Sequence, residues 1–400
     1  MNKSFLFNNL IFLFFLCLLL NNFNNITFIS GSGFYLSLIS IIYYFLFSFI
    51  FNNSGSIYIG FLILVSVTSS IVCFTTDNLL YFWLSYELAI LPLLLLILFW
   101  SSYSDRIKAS WYLIGYISFT SLPMLLFFIY CYLINGSLLI SLNENFNNSF
   151  FYLLAIIFIT KIPFPPFHSW LPVVHAEASS LVSMALSGYI MKLGLIGLVR
   201  FCYSWNPNIF FFYFLSCFYF SLCFFFNALH ELDYKRWLAF LSLVHIQIVG
   251  VGFLINSLDS QSLIFVYSLG HGLSAILLFY IFDNFSFIVG SRNWLFLSNI
   301  SNNSYFWYFF ISSSLLTASS FPSTLQFFSE VNIVCNSLGF SLLVLFLALY
   351  LLFGGLVPTI LLAQSYSNSK FLTNSVDISK LFYLVLLLLN FFCYVGIFIV

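Results

Sequence analysis

The chain of 400 residues is 62% hydrophobic and 6% charged, with 11 basic and 11 acidic residues and a net charge of zero. Its mean hydropathy of +1.08 lies far above that of soluble domains, so the composition is that of a polytopic membrane protein. No basic patch exists, which excludes nucleic acid as a partner and leaves lipid and other membrane proteins.

Taken in chain order, the apolar segments fall at 5–20, 34–51, 57–74, 78–100, 111–134, 150–171, 177–200, 209–229, 237–255, 260–282, 304–336, 338–363 and 380–400, which predicts 13 spans in an all-α fold. The first lacks a small-residue cleavage site and is read as a spanning helix rather than a signal peptide. The longest connections, 135–149, 284–303 and 364–379, are Asn- and Ser-rich and too short to fold alone. Alternating placement of these spans puts Lys3, Arg106, Lys108, Lys235, Arg236, Arg292, Lys370 and Lys380 on the side of the N-terminus, against Arg200 alone on the other. That bias orients the N-terminus towards the matrix or cytoplasm and the C-terminus towards the opposite compartment.

The eight cysteines (Cys17, Cys73, Cys131, Cys202, Cys217, Cys223, Cys335 and Cys393) are scattered without a CxxC pair or metal-ligand spacing, and read as buried inert thiols. Neither an iron-sulfur cluster nor a structural zinc is expected. The 57 phenylalanines, with abundant Asn, Ile and Tyr, point to a coding sequence rich in A and T, a habit of organellar genomes.

Two spans are interrupted. The segment 150–171 carries Pro163, Pro165 and Pro166, and the segment 304–336 carries Phe321-Pro322-Ser323. Proline removes a backbone donor, and at membrane depth such breaks persist where protein or a water-filled cavity satisfies the freed carbonyls. Broken helices in corresponding places of two halves point to an ion path, against the plainer reading of two proline kinks.

The polar residues expected at membrane depth are Glu87, Lys161, His168, His175, Glu177, Lys192, His245, His271 and Glu330. A fixed cation in hydrocarbon costs about 3 kcal/mol or more, so Lys161 and Lys192 need a compensating reason. A lysine whose acidic partner can approach or withdraw is a proton-loading site, and histidines can pass protons between such sites. The plainer readings are snorkelling for the lysines, a structural hydrogen bond for Glu87 and Glu330, and satisfied core histidines for His245 and His271. His168 follows the proline run and falls at a boundary, while His175 and Glu177 read as a solvated helix end. A haem between His245 and His271 is a further possibility, since the two lie on adjacent spans.

The stretch Thr160-Lys-Ile-Pro-Phe-Pro-Pro-Phe-His-Ser-Trp-Leu-Pro-Val-Val-His-Ala-Glu-Ala178, continuing through Ser183-Met-Ala-Leu to Lys192-Leu-Gly and Arg200-Phe201, closely resembles the signature of the subunit 4 family of proton-pumping NADH:ubiquinone oxidoreductase, mitochondrial complex I. Asp77 to Pro92 resembles the family's glutamate helix, Asp233 to His245 its DLK…SxxH stretch, His271-Gly-Leu-Ser274 its His-Gly helix, and Phe321 to Glu330 its second broken helix. The resemblance runs from about residue 77 to 335.

It implies antiporter-like inverted repeats in a single transmembrane domain, with N-terminal helices over 1–75, half-repeats over 76–205 and 206–363, and a C-terminal helix within 364–400. Its implied roles are Lys161 as the central proton-loading lysine, Glu87 as its ion-pair partner, Lys192 and His245 as links along a hydrated axis, His271 as support, and Glu330 as the connecting or exit acid. A proton-translocating subunit of the mitochondrial inner membrane is implied, with no redox cofactor of its own. NADH, FMN, iron-sulfur clusters and ubiquinone are expected in other subunits, and the partners are neighbours resembling subunits 2 and 5, with lipids such as cardiolipin. A cation/proton antiporter of the same fold is the alternative, although such relatives usually carry lysine where this chain has Glu330.

The chain departs from the pattern in two ways. Its glutamate helix is the fourth span where the family usually has it fifth, as if one N-terminal helix were absent. Ser323 and Ser329 stand where glycine is usual, which puts the backbone of the second break in question.

Overall fold

The computed structural model describes residues 31–50, 57–139, 148–202, 207–255, 258–297, 305–337, 341–367 and 380–396. The expected span 5–20, with Lys3 and Cys17, and also Lys370, lie outside the described residues. Among the described residues the fold is helical, and the only strand-like pairings are two isolated bridges, Asn78 with Leu139 and Asp233 with Asn293. Eight helices are long and apolar enough to cross a membrane, and the described cysteines form no disulfide.

Contacts divide the chain into two compact units, residues 1–170 with 177–205, and residues 171–176 with 206–400. The first contains α1 (Gly31–Ile50), α2 (Ile57–Thr75), α3 (Leu79–Trp100), α4 (Arg106–Asn135), α5 (Asn148–Lys161), α7 (Ser180–Ala185) and α8 (Met191–Cys202). The short α6 (Trp170–Glu177) contributes its middle, residues 171–176, to the second unit. That unit otherwise comprises α9 (Pro207–His230), α10 (Tyr234–Ile255), α11 (Leu258–Val289), α12 (Tyr305–Ala318), α13 (Leu325–Asn336), α14 (Ser341–Ser367) and α15 (Lys380–Val395).

Helix ends follow local chemistry. Asn78 caps α3 by accepting the amide of Leu80 at 3.0 Å, and α4 ends on Gly136 at φ 65°, whose amide bonds the Tyr132 carbonyl. Some boundaries differ from expectation: α14 runs four residues past 363 to Ser367, and α11 runs to Val289, into the predicted connection 284–303. Asn284 donates to the Tyr280 carbonyl at 2.7 Å and Ser286 to the Asp283 carbonyl at 2.8 Å, so these polar side chains fold back onto the helix instead of breaking it. It stops at Gly290, φ 73°.

Aromatic rings set the helix spacing in the first unit. Phe82 packs against Tyr86, Phe128, Phe158 and Phe201, and the Phe158 and Phe201 rings stack at 5.7 Å. Gly194 lets α8 approach α5 closely, since a β-carbon there would lie 3.0 Å from the Phe158 carbonyl and from Lys161 Cβ. Between α7 and α8 the helix widens into a π-turn, Leu186–Ile190, with the Met191 amide bonding the Leu186 carbonyl.

Candidate functional site

Both expected breaks are present, and each leaves a carbonyl-rich helix end inside the protein. In the first unit α5 stops at Lys161. The carbonyls of its last turn are taken by the loop: Phe158 by the Ile162 amide, Ile159 by the Phe164 amide, and Thr160 by the indole of Trp170 at 3.2 Å. Lys161 is 5% exposed at the negative end of that half-helix dipole, a favourable place for an ammonium.

The Lys161 Nζ lies over the Tyr86 ring, 5.7 Å from its centroid, and Glu87 is the next residue along α3. Glu87 is buried, with Oε1 free of any protein hydrogen bond, and interacts electrostatically with Lys161. Ion pairs within 4.0 Å among the described residues are His245–Glu330 and Asp233–Arg292, so Glu87 and Lys161 face one another as an open pair rather than a closed one.

Lys192, fully buried, bends back to donate to the Ser187 carbonyl inside the π-turn. Snorkelling is thereby excluded for both lysines. Arg200 at the far end of α8 donates to the carbonyls of Phe74 and Thr76, each at 2.5 Å, and so closes the C-terminus of α2.

In the second unit the break between α12 and α13 is a tight loop in which Ser320 and Ser323 have φ of 51° and 88°. Thr324 caps α13 by accepting the Phe327 amide at 3.3 Å. Glu330 on α13 is 1% exposed, and around it closes a hydrogen-bonded cluster. Gln326 Nε2 donates to Glu330 Oε1 at 3.1 Å, and the Tyr350 hydroxyl reaches the same oxygen at 3.2 Å. His245 Nδ1 lies 2.8 Å from the Tyr350 hydroxyl, 3.0 Å from Gln326 Nε2 and 3.9 Å from Glu330 Oε1. Gly270 brings α11 onto α13, where a β-carbon would sit 3.0 Å from the Gln326 amide, and this places Ser274 to donate to Gln326 Oε1 at 3.4 Å.

The His245 and His271 rings pack against each other with centroids 5.6 Å apart, which leaves no room for a porphyrin and its iron between them. His175, expected at a solvated helix end, is instead fully buried and stacked on Phe279 at 5.1 Å, because residues 171–176 fold into the second unit. Glu177 is half-buried, and so is His168 in the loop after the proline run.

Lys235 was counted with the loop cations; it is fully buried, within electrostatic reach of His175. Sequence reasoning also missed Tyr350, Gln326 and Tyr267. Gln326 offered a signal, as a lone amide inside the quoted Phe321–Glu330 stretch, whereas Tyr350 is one of 25 tyrosines in a featureless apolar span.

The sequence pattern of the NADH:quinone oxidoreductase/Mrp antiporter transmembrane family matches residues 76–357, well over half of the chain. The chain belongs to this family. All of the residues described above from Glu87 to Tyr350 lie within the matched region.

Among relatives, NADH-ubiquinone oxidoreductase chain 4 of Rhipicephalus sanguineus is 31% identical over 301 residues, covering 73% of this chain and 68% of that one. Among solved structures, respiratory complex I from Thermus thermophilus with bound NADH contains a chain that superposes with a TM-score of 0.83 at 18% identity, covering 92% of this chain and 81% of its own. The Mrp complex from Dietzia sp. matches with a TM-score of 0.74 at 16% identity, over 84% and 66%. At such identities the likeness to these family structures is one of fold, and it agrees with the all-α architecture of broken helices.

Proposed function

We propose that this chain is the proton-translocating, non-redox subunit 4 of the membrane arm of an NADH:ubiquinone oxidoreductase. The observation that carries the reading is Lys161, buried at the end of a broken helix with Glu87 in reach but unpaired. Closing that pair favours the ammonium, and withdrawing Glu87 favours release of its proton, so a change of distance becomes a change of protonation. Lys192 then relays from α8, His245 and His271 continue the path in the second unit, and Glu330 is the connecting or exit acid.

Redox energy arrives through neighbouring subunits, which hold NADH, FMN, the iron-sulfur clusters and ubiquinone. Those neighbours resemble subunits 2 and 5, and anionic lipids such as cardiolipin line the outer faces. The two units correspond to the half-repeats, and the chain resides in the mitochondrial inner membrane with its N-terminus on the matrix side. The contacts within each unit agree with the alternation of spans on which this sidedness rests. Alternating placement puts residue 76 and Arg200 at one membrane face, where they bond, and likewise Asn78 and Leu139. It puts Asp233, Arg292 and Ala176 at the other, where Arg292 pairs with Asp233 and donates to the Ala176 carbonyl at 2.8 Å.

In membrane vesicles containing the assembled complex, Lys161→Ala is expected to abolish NADH-driven proton translocation through this subunit while native gels show normal assembly. Full pumping by the variant would sink the mechanism. The second reading, a cation/proton antiporter, is supported by the family's joint description and by the likeness to the Mrp complex. It requires sodium- or potassium-driven proton exchange in vesicles without NADH, whereas the relatives' shared name favours the first.

A further inference from the structure

The cluster around Glu330 contains one group whose hydrogen bonds conflict. Tyr350 has a single O–H, yet its oxygen lies 2.8 Å from His245 Nδ1 and 3.2 Å from Glu330 Oε1, both acceptors when the imidazole is neutral at that nitrogen. Gln326 faces the same two atoms, at 3.0 and 3.1 Å, but has two N–H groups and serves both. Tyr267, whose O–H donates to the His245 carbonyl at 2.9 Å, offers its oxygen to Tyr350 as a third acceptor at 3.3 Å, the longest of the three. The single Tyr350 proton therefore serves one acceptor at a time, and the histidine and the acid are the two nearest.

Its ring has no such freedom. It is 1% exposed and held between Phe218 at 5.7 Å, Phe225 at 5.9 Å and the edge of His245 at 6.1 Å, so only the hydroxyl hydrogen can move. The His245 imidazole also faces the Ala318 backbone and borders a cavity of about 20 Å³ shared with Ser242, His271 and Ser274. A water needs roughly 10–15 Å³ of such space, so one fits there with polar partners.

Resting on the function proposed above, we propose that Tyr350 is a proton relay between His245 and Glu330, switching its hydroxyl from one to the other. The step starts with His245 as imidazolium, its proton on Nδ1, and Glu330 as carboxylate. The Nδ1–H bond breaks as that proton joins the Tyr350 oxygen, while the Tyr350 O–H proton passes to Glu330 Oε1. The products are neutral imidazole, intact tyrosine and a carboxylic acid, with no electron transferred. The new hydroxyl points at Nδ1, and its rotation back towards Glu330, once that acid has lost its proton onward and His245 has regained one, resets the relay. The direct separation of 3.9 Å between His245 and Glu330 is too long for transfer without an intermediary.

The test uses the assembled complex in sealed vesicles, with NADH oxidation and proton uptake read together. Tyr350→Phe keeps the ring and removes the relay: proton translocation through this chain is expected to fall about 10²-fold, the usual contribution of a positioned proton donor, with an enlarged solvent deuterium isotope effect on the remainder. Tyr394→Phe, which loses a hydroxyl bond to the Ser313 carbonyl and touches none of the cluster's polar atoms, is expected to pump at the wild-type rate. Wild-type pumping by Tyr350→Phe overturns the relay. If that variant does not assemble, 3-fluorotyrosine at position 350 keeps shape and hydroxyl but makes the phenol more acidic. It is expected to shift the pH profile of translocation, and an unchanged profile overturns the proposal. Loss of pumping in Lys161→Ala with normal pumping in Tyr350→Phe removes the relay alone; normal pumping in both removes the proposed function and the relay with it.

Discussion

Arg200 is the cation that the alternation of spans leaves alone on its side of the membrane, and its contacts explain why it is tolerated there. The guanidinium is bound to the Phe74 carbonyl in the last turn of α2 and to the Thr76 carbonyl just beyond it, so the charge serves a helix end. Ser323 shows the opposite situation, a residue type at odds with its backbone. At φ 88° it occupies a region that costs an L-residue about 1–2 kcal/mol and glycine almost nothing. Ser323→Gly is expected to stabilise the second unit by about 1 kcal/mol, seen as a higher unfolding temperature of the detergent-solubilised complex; an unchanged or lower value would show that the serine is unstrained. The family pattern flagged this position because glycine is usual there. The buried ionisable residues were equally legible, since lysine, glutamate and histidine are conspicuous in an apolar chain. Tyr350 was not, because a tyrosine in a membrane span is ordinary and only its three-dimensional neighbours make it unusual.

At the scale of the element, prolines betrayed both broken helices. The stopping points Lys161 and Ala318 precede the prolines by a few residues, as expected when a proline ring deprives the preceding turn of its donors. The burial of residues 171–176 in the other unit was not legible: the pattern of 177–200 read as one clean span, and nothing in it announces where a neighbouring helix comes from. The approach of α8 to α5 is set by Gly194, and that spacing holds Lys161 against α3. Gly194→Val places branched carbon within 3.0 Å of backbone and of Lys161 Cβ, so it is expected to cost about 1–3 kcal/mol and to reduce pumping together with the amount of assembled complex. Wild-type assembly and pumping in that variant would show that the helices separate freely.

For the whole molecule, burial sorts the helices by task. The most apolar 18 residues within Ser180–Cys202 and within Ser262–Val289, the helices of Lys192 and His271, are each 94% buried, against 39% within Arg106–Ile134 and 33% within Leu343–Ser365. Lys192 and His271 thus lie on well-covered helices, whereas α14 buries Tyr350 on one face and leaves the other to lipid or neighbours. The proposed sidedness predicts that single cysteines at Ser104 and Asn293 react with an impermeant maleimide from the matrix face, and one at Gly136 from the opposite face. Labelling of Ser104 and Gly136 positions from the same side would mean a miscounted span. Charge bias predicts an alternation of crossings that this labelling tests, whereas the division into two units depended on contacts between distant segments.

The π-turn at Leu186–Ile190 has a geometric consequence for all that follows it. An α-helix turns by about 100° per residue, so one residue more or less before Met191 would swing Lys192 and Gly194 by roughly that angle around the helix axis. Deleting a single residue from this stretch would point the amine at a different neighbour and turn the glycine away from α5. The length of five buried residues, more than their identity, aims Lys192.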